Sequence, residues 1–213
     1  MISCARIAAR CAAVVVLGGA LFVTLPSTAH SIVYTPCPTL SAQVVVSTPN
    51  DPGFIGLYKY TVTLSWDVGT HDPSHVDVLV GLTDCACVCD SRLFKFGVPA
   101  GLSTGVNASG NCQVPYAGTY VCKGDPSIQN MTAGPAIKFT PDETLCSTNE
   151  TGSGTFVFYS PLPPGAPQIQ DNAIAIKHGT DTCYGSLMGP LPMCDCTVPA
   201  QAASWGKMKD IYR

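Results

Sequence analysis

An all-β fold, an antiparallel β-sandwich of immunoglobulin-like general form stapled by disulfides, is what this sequence predicts. Three features carry the prediction. Apolar and polar residues alternate strictly over runs that a helix would scatter around its circumference. Turn formers such as Pro49-Asn50-Asp51-Pro52-Gly53, Pro99-Ala100-Gly101 and Pro163-Pro164-Gly165 separate the runs at short intervals. Twelve cysteines lie in a chain of 213 residues, ten of them outside an export leader.

The first 29 residues read as that leader. Arg6 and Arg10 form a positive n-region, and Ala12 to Leu25 an apolar stretch. Ser27 and Ala29 then supply the small residues of a cleavage site. A membrane anchor needs about 20 unbroken apolar residues, which this stretch does not reach. Cleavage after Ala29 leaves a mature domain over 30–199 and a tail over 200–213. It also leaves nine basic against fourteen acidic residues, a net charge of −5. Such a chain repels a polyanion, so no nucleic acid is expected as partner. No membrane span is expected after cleavage. The expected location is secreted or extracellular, with the cell surface or periplasm as variants of it.

Taken in order, the strand candidates are Gln43–Thr48, Tyr58–Val68, His75–Leu82, Leu93–Phe96, Thr119–Lys123, Ala136–Thr140, Thr155–Ser160 and Ala173–His178. In the second, Tyr58, Tyr60, Val62, Leu64, Trp66 and Val68 alternate with Lys59, Thr61, Thr63, Ser65 and Asp67. In the third, Val76, Val78, Val80 and Leu82 form the expected core face. The short turn over 67–73 predicts that these two strands are neighbours sharing one core around Trp66. The stretch from Gly97 to Pro135 is rich in Gly, Ser, Asn and Pro and reads as an elaborated, disulfide-pinned crossover. The tail after Ala200 places Trp205, Met208 and Tyr212 at helical spacing, or is a frayed end.

Outside the leader the cysteines are Cys37, Cys85, Cys87, Cys89, Cys112, Cys122, Cys146, Cys183, Cys194 and Cys196. An even number in an exported chain predicts disulfides, each worth about 2–4 kcal/mol. Cys85, Cys87 and Cys89 would share one face of a strand and so reach distant partners. A thiolate metal site is disfavoured by the spacing and by the oxidising compartment. Sequons at Asn107, Asn130 and Asn149 predict exposed loops.

Several short motifs also carry a resemblance. Ser74-His75-Val76-Asp77-Val78-Leu79-Val80 leads to Cys85, and Ile137-Lys138-Phe139 and Gly154-Thr155-Phe156-Val157-Phe158 follow. Ile174-Ala175-Ile176-Lys177-His178-Gly179 and Cys183-Tyr184-Gly185 then run through Gly189-Pro190 to Cys194. Together they resemble a group of secreted, cysteine-containing bacterial β-sandwich proteins to which no chemistry is assigned. The resemblance implies the fold and no activity.

His71, Asp72, His75 and Asp77 are the candidate metal ligands, since a set of two His and two Asp can hold zinc or another divalent ion. The alternative is structural: His71 and Asp72 shape a turn before Pro73, and His75 and Asp77 form a solvated face. Ser74 and His75, adjacent on a strand, are expected to point apart and not to form a nucleophile–base pair. Asp84 to Asp90 and Asp142-Glu143 are weaker calcium candidates. Tyr116, Tyr120, Tyr159 and Tyr184 are candidate sugar-stacking platforms, or strand tyrosines packed at sheet edges. No His-Glu-x-x-His motif occurs, and no catalytic residue and no cofactor is expected. The expected function is a non-catalytic secreted or cell-surface module with a structural or adhesion role and a cell-surface glycan or protein as partner. A carbohydrate- or ligand-binding module is the alternative, and a small secreted metal-dependent hydrolase the second.

Overall fold

A computed structural model describes residues 34–80, 90–105, 112–128 and 134–193. Among the described residues nine strands follow in chain order: β1 (Thr39–Ser47), β2 (Tyr58–Asp67), β3 (Pro73–Leu79), β4 (Gly101–Gly105), β5 (Gln113–Val121), β6 (Ala136–Pro141), β7 (Thr151–Ser160), β8 (Gln168–His178) and β9 (Asp181–Gly189). They form one closed barrel in the order β1-β2-β7-β4-β5-β6-β3-β8-β9. All neighbours are antiparallel except β1 and β9, which close the barrel in parallel through Ala42↔Leu187 and Gln43↔Met188. Among the described residues no helix is long and apolar enough to cross a membrane.

The barrel corrects the expected two-sheet, immunoglobulin-like sandwich. Both architectures need strands with one buried face, so alternation predicts either. What separates them is whether the first strand pairs with the last, and alternation within strands does not encode that. Small residues give the tightly coiled sheet room inside. Trp66 passes over Gly152, where an added Cβ would lie 2.6 Å from the indole ring. Phe156 fills the space that a side chain on Gly101 would need.

The interior is packed with side chains. Tyr60, Val62, Leu64, Phe139, Phe156, Phe158, Ile174 and Ile176 are fully buried in one apolar cluster. Tyr60 stacks on Phe158 with ring centroids 4.9 Å apart, and its hydroxyl donates to Leu162 O at 2.9 Å. Trp66 is buried as expected and Thr63 is exposed as expected. The faces of β2 agree with the alternation, but its expected pairing with β3 does not hold: β2 pairs with β1 and β7, and β3 with β6 and β8.

Two strands are not evident from the sequence. β4 carries two glycines and turns Ser103 inward, and β9 mixes Asp, Thr, Gly and Ser among its apolar residues. Leu93–Phe96 is not a strand. A 3-10 turn over Ser91–Leu93 precedes a single bridge, Lys95↔Tyr159, and Phe94 inserts into the core.

Disulfides join Cys37 to Cys183 and Cys112 to Cys146, and Cys122 is disulfide-bonded as well. Cys85, Cys87, Cys89, Cys194 and Cys196 lie outside the described residues, as do the leader, the tail, Asn107 and Asn130. Asn149 sits in the loop between β6 and β7, half-buried, with its side-chain amide against Gly105. Val45, Ile169 and Met188 are exposed along an apolar groove of about 560 Å³ at the seam of β1, β8 and β9.

Candidate metal centre

β3 is buried on both faces. Val76 and Val78 point into the barrel, and the alternation turns His75 and Asp77 to the outer wall. That wall is covered. After β5 the chain turns at Gly124, whose φ of 77° belongs to the left-handed region, and its amide donates to Val121 O. Residues 125–128 then lie across β3, β8 and β9. Ile128 packs with Ala175 and Tyr184 against the outside of the sheet. The Asp125 carboxylate accepts from Ser127 N at 2.8 Å, and Asp125 O accepts from Ile128 N at 3.1 Å. This Asx-type turn fixes the segment locally.

Two carboxylates, one imidazole, one hydroxyl and one ammonium meet between that segment and the sheet. His75 Nε2 lies 3.3 Å from Asp77 Oδ2, 3.3 Å from Asp125 Oδ2 and 3.3 Å from Ser127 Oγ. Ser127 Oγ donates to Asp125 Oδ1 at 2.7 Å, and Lys138 Nζ donates to Asp125 Oδ2 at 2.5 Å. Lys138 reaches in from β6, where it pairs with Asp77 across the sheet. His75, Asp77 and Asp125 are 6%, 0% and 3% exposed.

Burial sets the electrostatics. It pushes the Asp77 carboxyl up to about 8, with the Asp125 charge adding and Lys138 opposing. Burial also drives His75 down to about 4, helped by Lys138. At Asp125 burial acts upward, but the hydrogen bonds from Lys138 and Ser127 prevail and hold the group at about 2. At neutral pH, then, the ion pair here is Asp125–Lys138, and His75 is an uncharged nitrogen donor. Neither Asp77 oxygen has a hydrogen-bond partner.

Of the four candidate ligands, the structure brings together His75 and Asp77. His71 and Asp72 stay exposed in the loop between β2 and β3, where His71 adopts a φ of 62° and lies against Gly179. Asp72 is raised by burial and by nearby Glu143 and Glu150. The solvated-face alternative for His75 and Asp77 is corrected, because residues 125–128 cover that face. Ser74 and His75 do meet: Ser74 Oγ is 3.4 Å from His75 Nδ1. A register shift between Pro73 and His75 breaks the simple up–down rule there. Ser74 Oγ donates to Lys177 O at 3.1 Å, so this hydroxyl is engaged with backbone.

Sequence reasoning misses Asp125 and Ser127. The Asp-Pro-Ser triplet signals an Asx turn, but nothing in it signals that the turn lands on β3. Of the calcium candidates, residues 84–89 lie outside the described residues, and the others are occupied locally. Asp90 holds Arg92, Asp142 caps Thr144 N, and Glu143 accepts from Thr148. Of the tyrosine platforms, Tyr116, Tyr159 and Tyr184 are buried and Tyr120 is half-buried. Tyr159 stacks on Phe54, and Tyr184 meets Tyr34 edge-on. Comparison with protein-family models, curated proteins and solved structures finds no match to this chain.

Proposed function

We propose that this chain is a non-catalytic, exported β-barrel module with a structural or adhesion role, meeting a cell-surface protein or glycan. The burial of its best-equipped polar cluster carries the proposal. His75 and Asp77 lie under residues 125–128, and with Asp125 of that segment they are at 6% exposure or less, where a substrate has no approach to them. A barrel interior filled by aromatic and branched side chains also supports it. The disulfides fit an oxidising compartment, which supports export. The apolar strip of Val45, Ile169 and Met188 supports contact with another macromolecule over chemistry.

The test pairs two assays on purified, oxidised protein. One measures binding to glycan arrays, cell-wall preparations and matrix proteins. The other follows turnover of ester, glycoside, phosphoester and peptide substrates with zinc present. Saturable binding without turnover is the expected result. Turnover that is metal-dependent and lost in His75→Ala would overturn the assignment in favour of a hydrolase.

A further inference from the structure

We propose that His75, Asp77 and Asp125 hold one zinc ion on the outer wall of the barrel, with Ser127 Oγ or a water as fourth ligand. The site goes beyond the adhesive or structural role above and does not depend on it. It is a structural clamp that fixes residues 125–128 to β3.

Spacing is the first support. A tetrahedral zinc ion with bonds of about 2.0–2.1 Å holds its ligand atoms about 3.3 Å apart. Asp77 Oδ2, Asp125 Oδ2 and Ser127 Oγ each lie 3.3 Å from His75 Nε2. One ligand atom from each of His75, Asp77 and Asp125 falls within 4.8 Å of the others.

Proton placement is the second. The Ser74 hydroxyl proton goes to Lys177 O, so its oxygen presents a lone pair to His75 Nδ1. That arrangement puts the imidazole proton on Nδ1 and aims the Nε2 lone pair at the cluster, as an outer partner does for a metal-bound histidine. The Ser127 hydroxyl proton goes to Asp125 Oδ1. Lone pairs of His75 Nε2, Asp125 Oδ2 and Ser127 Oγ therefore converge beside the Asp77 carboxyl, with the Lys138 ammonium on Asp125 Oδ2, and binding of zinc displaces the Asp77 proton.

Asp77 is the third. It is fully buried, both oxygens lack a hydrogen-bond donor, and Oδ2 faces His75. A buried carboxyl group without a partner is costly. Zinc supplies the partner, and its two charges offset those of Asp77 and Asp125. Lys138, a quarter exposed, keeps its bond to Asp125. A nitrogen ligand and a compact set of four suit zinc, whereas calcium takes six to eight oxygens. Closure over the site makes it structural.

The test uses the oxidised chain, stripped with a chelator and titrated with zinc chloride by calorimetry and with cobalt(II) by visible absorption. One zinc per chain, intense tetrahedral cobalt bands and a raised melting temperature are expected. Asp77→Asn and His75→Gln should weaken binding about 100-fold or more, and Ser74→Ala, a positioning change, about 10-fold. His71→Ala should bind as wild type does. Asp77→Asn is close to isosteric, so its circular dichroism separates lost ligation from lost folding. Folded wild-type protein that takes up no zinc, or gives only weak octahedral cobalt bands, would overturn the site. So would a folded Asp77→Asn variant that binds zinc with wild-type affinity.

Discussion

A carboxyl group buried without a hydrogen-bond donor, like that of Asp77, makes folding depend on pH in a direction that can be worked out. In the unfolded chain Asp77 ionises near its ordinary value of about 4, whereas burial moves the folded value up to about 8. The folded state therefore binds this proton more tightly, and its stability falls as pH climbs from about 4 towards 8. His75 works in the opposite sense at lower pH. Its folded value of about 4 lies below the usual 6.5, so stability is also lost as pH falls through that interval. Asp125, Lys138, Lys177 and Tyr184 face these groups and set the size of both effects. In chelator-treated protein, Asp77→Asn should be more stable than wild type at pH 8 by more than about 1 kcal/mol, since a tenfold change in proton affinity is worth about 1.4 kcal/mol. At pH 5 the gap should shrink. Urea melts at the two pH values measure it, and a pH-independent difference would contradict the burial effect at Asp77.

At the same scale, Trp66 and Thr63 on β2 test which face is inside. Trp66 is 2% exposed and its Nε1 donates to Asn149 O at 3.1 Å. Trp66→Ala should cost about 3–5 kcal/mol through lost packing and a cavity above Gly152. Thr63→Ala, on the outer face, should stay within about 0.5 kcal/mol. Chemical denaturation of both variants decides it, and comparable losses would mean that the faces are inverted.

At the scale of elements, the most legible strand is β2, because alternating apolar residues sit on one side along its whole length. β3 is legible only by half. Its valines mark the core face, but a second layer over a sheet is invisible in the strand that lies beneath it. The missing information sits about 50 residues downstream, in the Asp125-Pro126-Ser127 turn, and nothing local ties that turn to His75. Polarity hides β4 and β9 in a similar way: inward glycines and Ser103 fit a narrow barrel, yet read as loop. Ile128 anchors the covering segment, being 1% exposed and packed on Ala175 and Tyr184. Ile128→Ala should therefore cost about 2–4 kcal/mol if the segment unfolds with the barrel. If the segment opens by itself, amide exchange should rise locally over 125–128 with little change in global stability. Hydrogen exchange with mass spectrometry separates the two. Unchanged exchange and unchanged stability together would show that Ile128 does not hold the segment.

At the scale of the whole molecule, the barrel stands or opens at one seam. β2 pairs with β7 over ten residues, whereas β1 meets β9 through two pairs. Parallel pairing is also slightly weaker per residue than antiparallel pairing. Beside that short ladder, Cys37 is bonded to Cys183 across 146 residues of sequence. Cys37 N donates to Tyr184 O, and Tyr184 N donates to Thr35 O. The bridge therefore ties the chain just before β1 to β9, where the pairing is thinnest. Its loop is long, so cross-linking removes much freedom from the unfolded chain, and its loss should cost about 2–5 kcal/mol. A purely entropic staple would lower global stability and leave the folded seam intact. A staple that also holds the closure would in addition let Ala42, Gln43 and Leu187 exchange faster, while amides between β2 and β7 keep their relative protection. The double variant Cys37→Ser, Cys183→Ser, followed by denaturant melts and hydrogen exchange, should show both effects. Exchange that rises uniformly around the barrel would mean that the two-pair ladder and the packed interior close it without the disulfide.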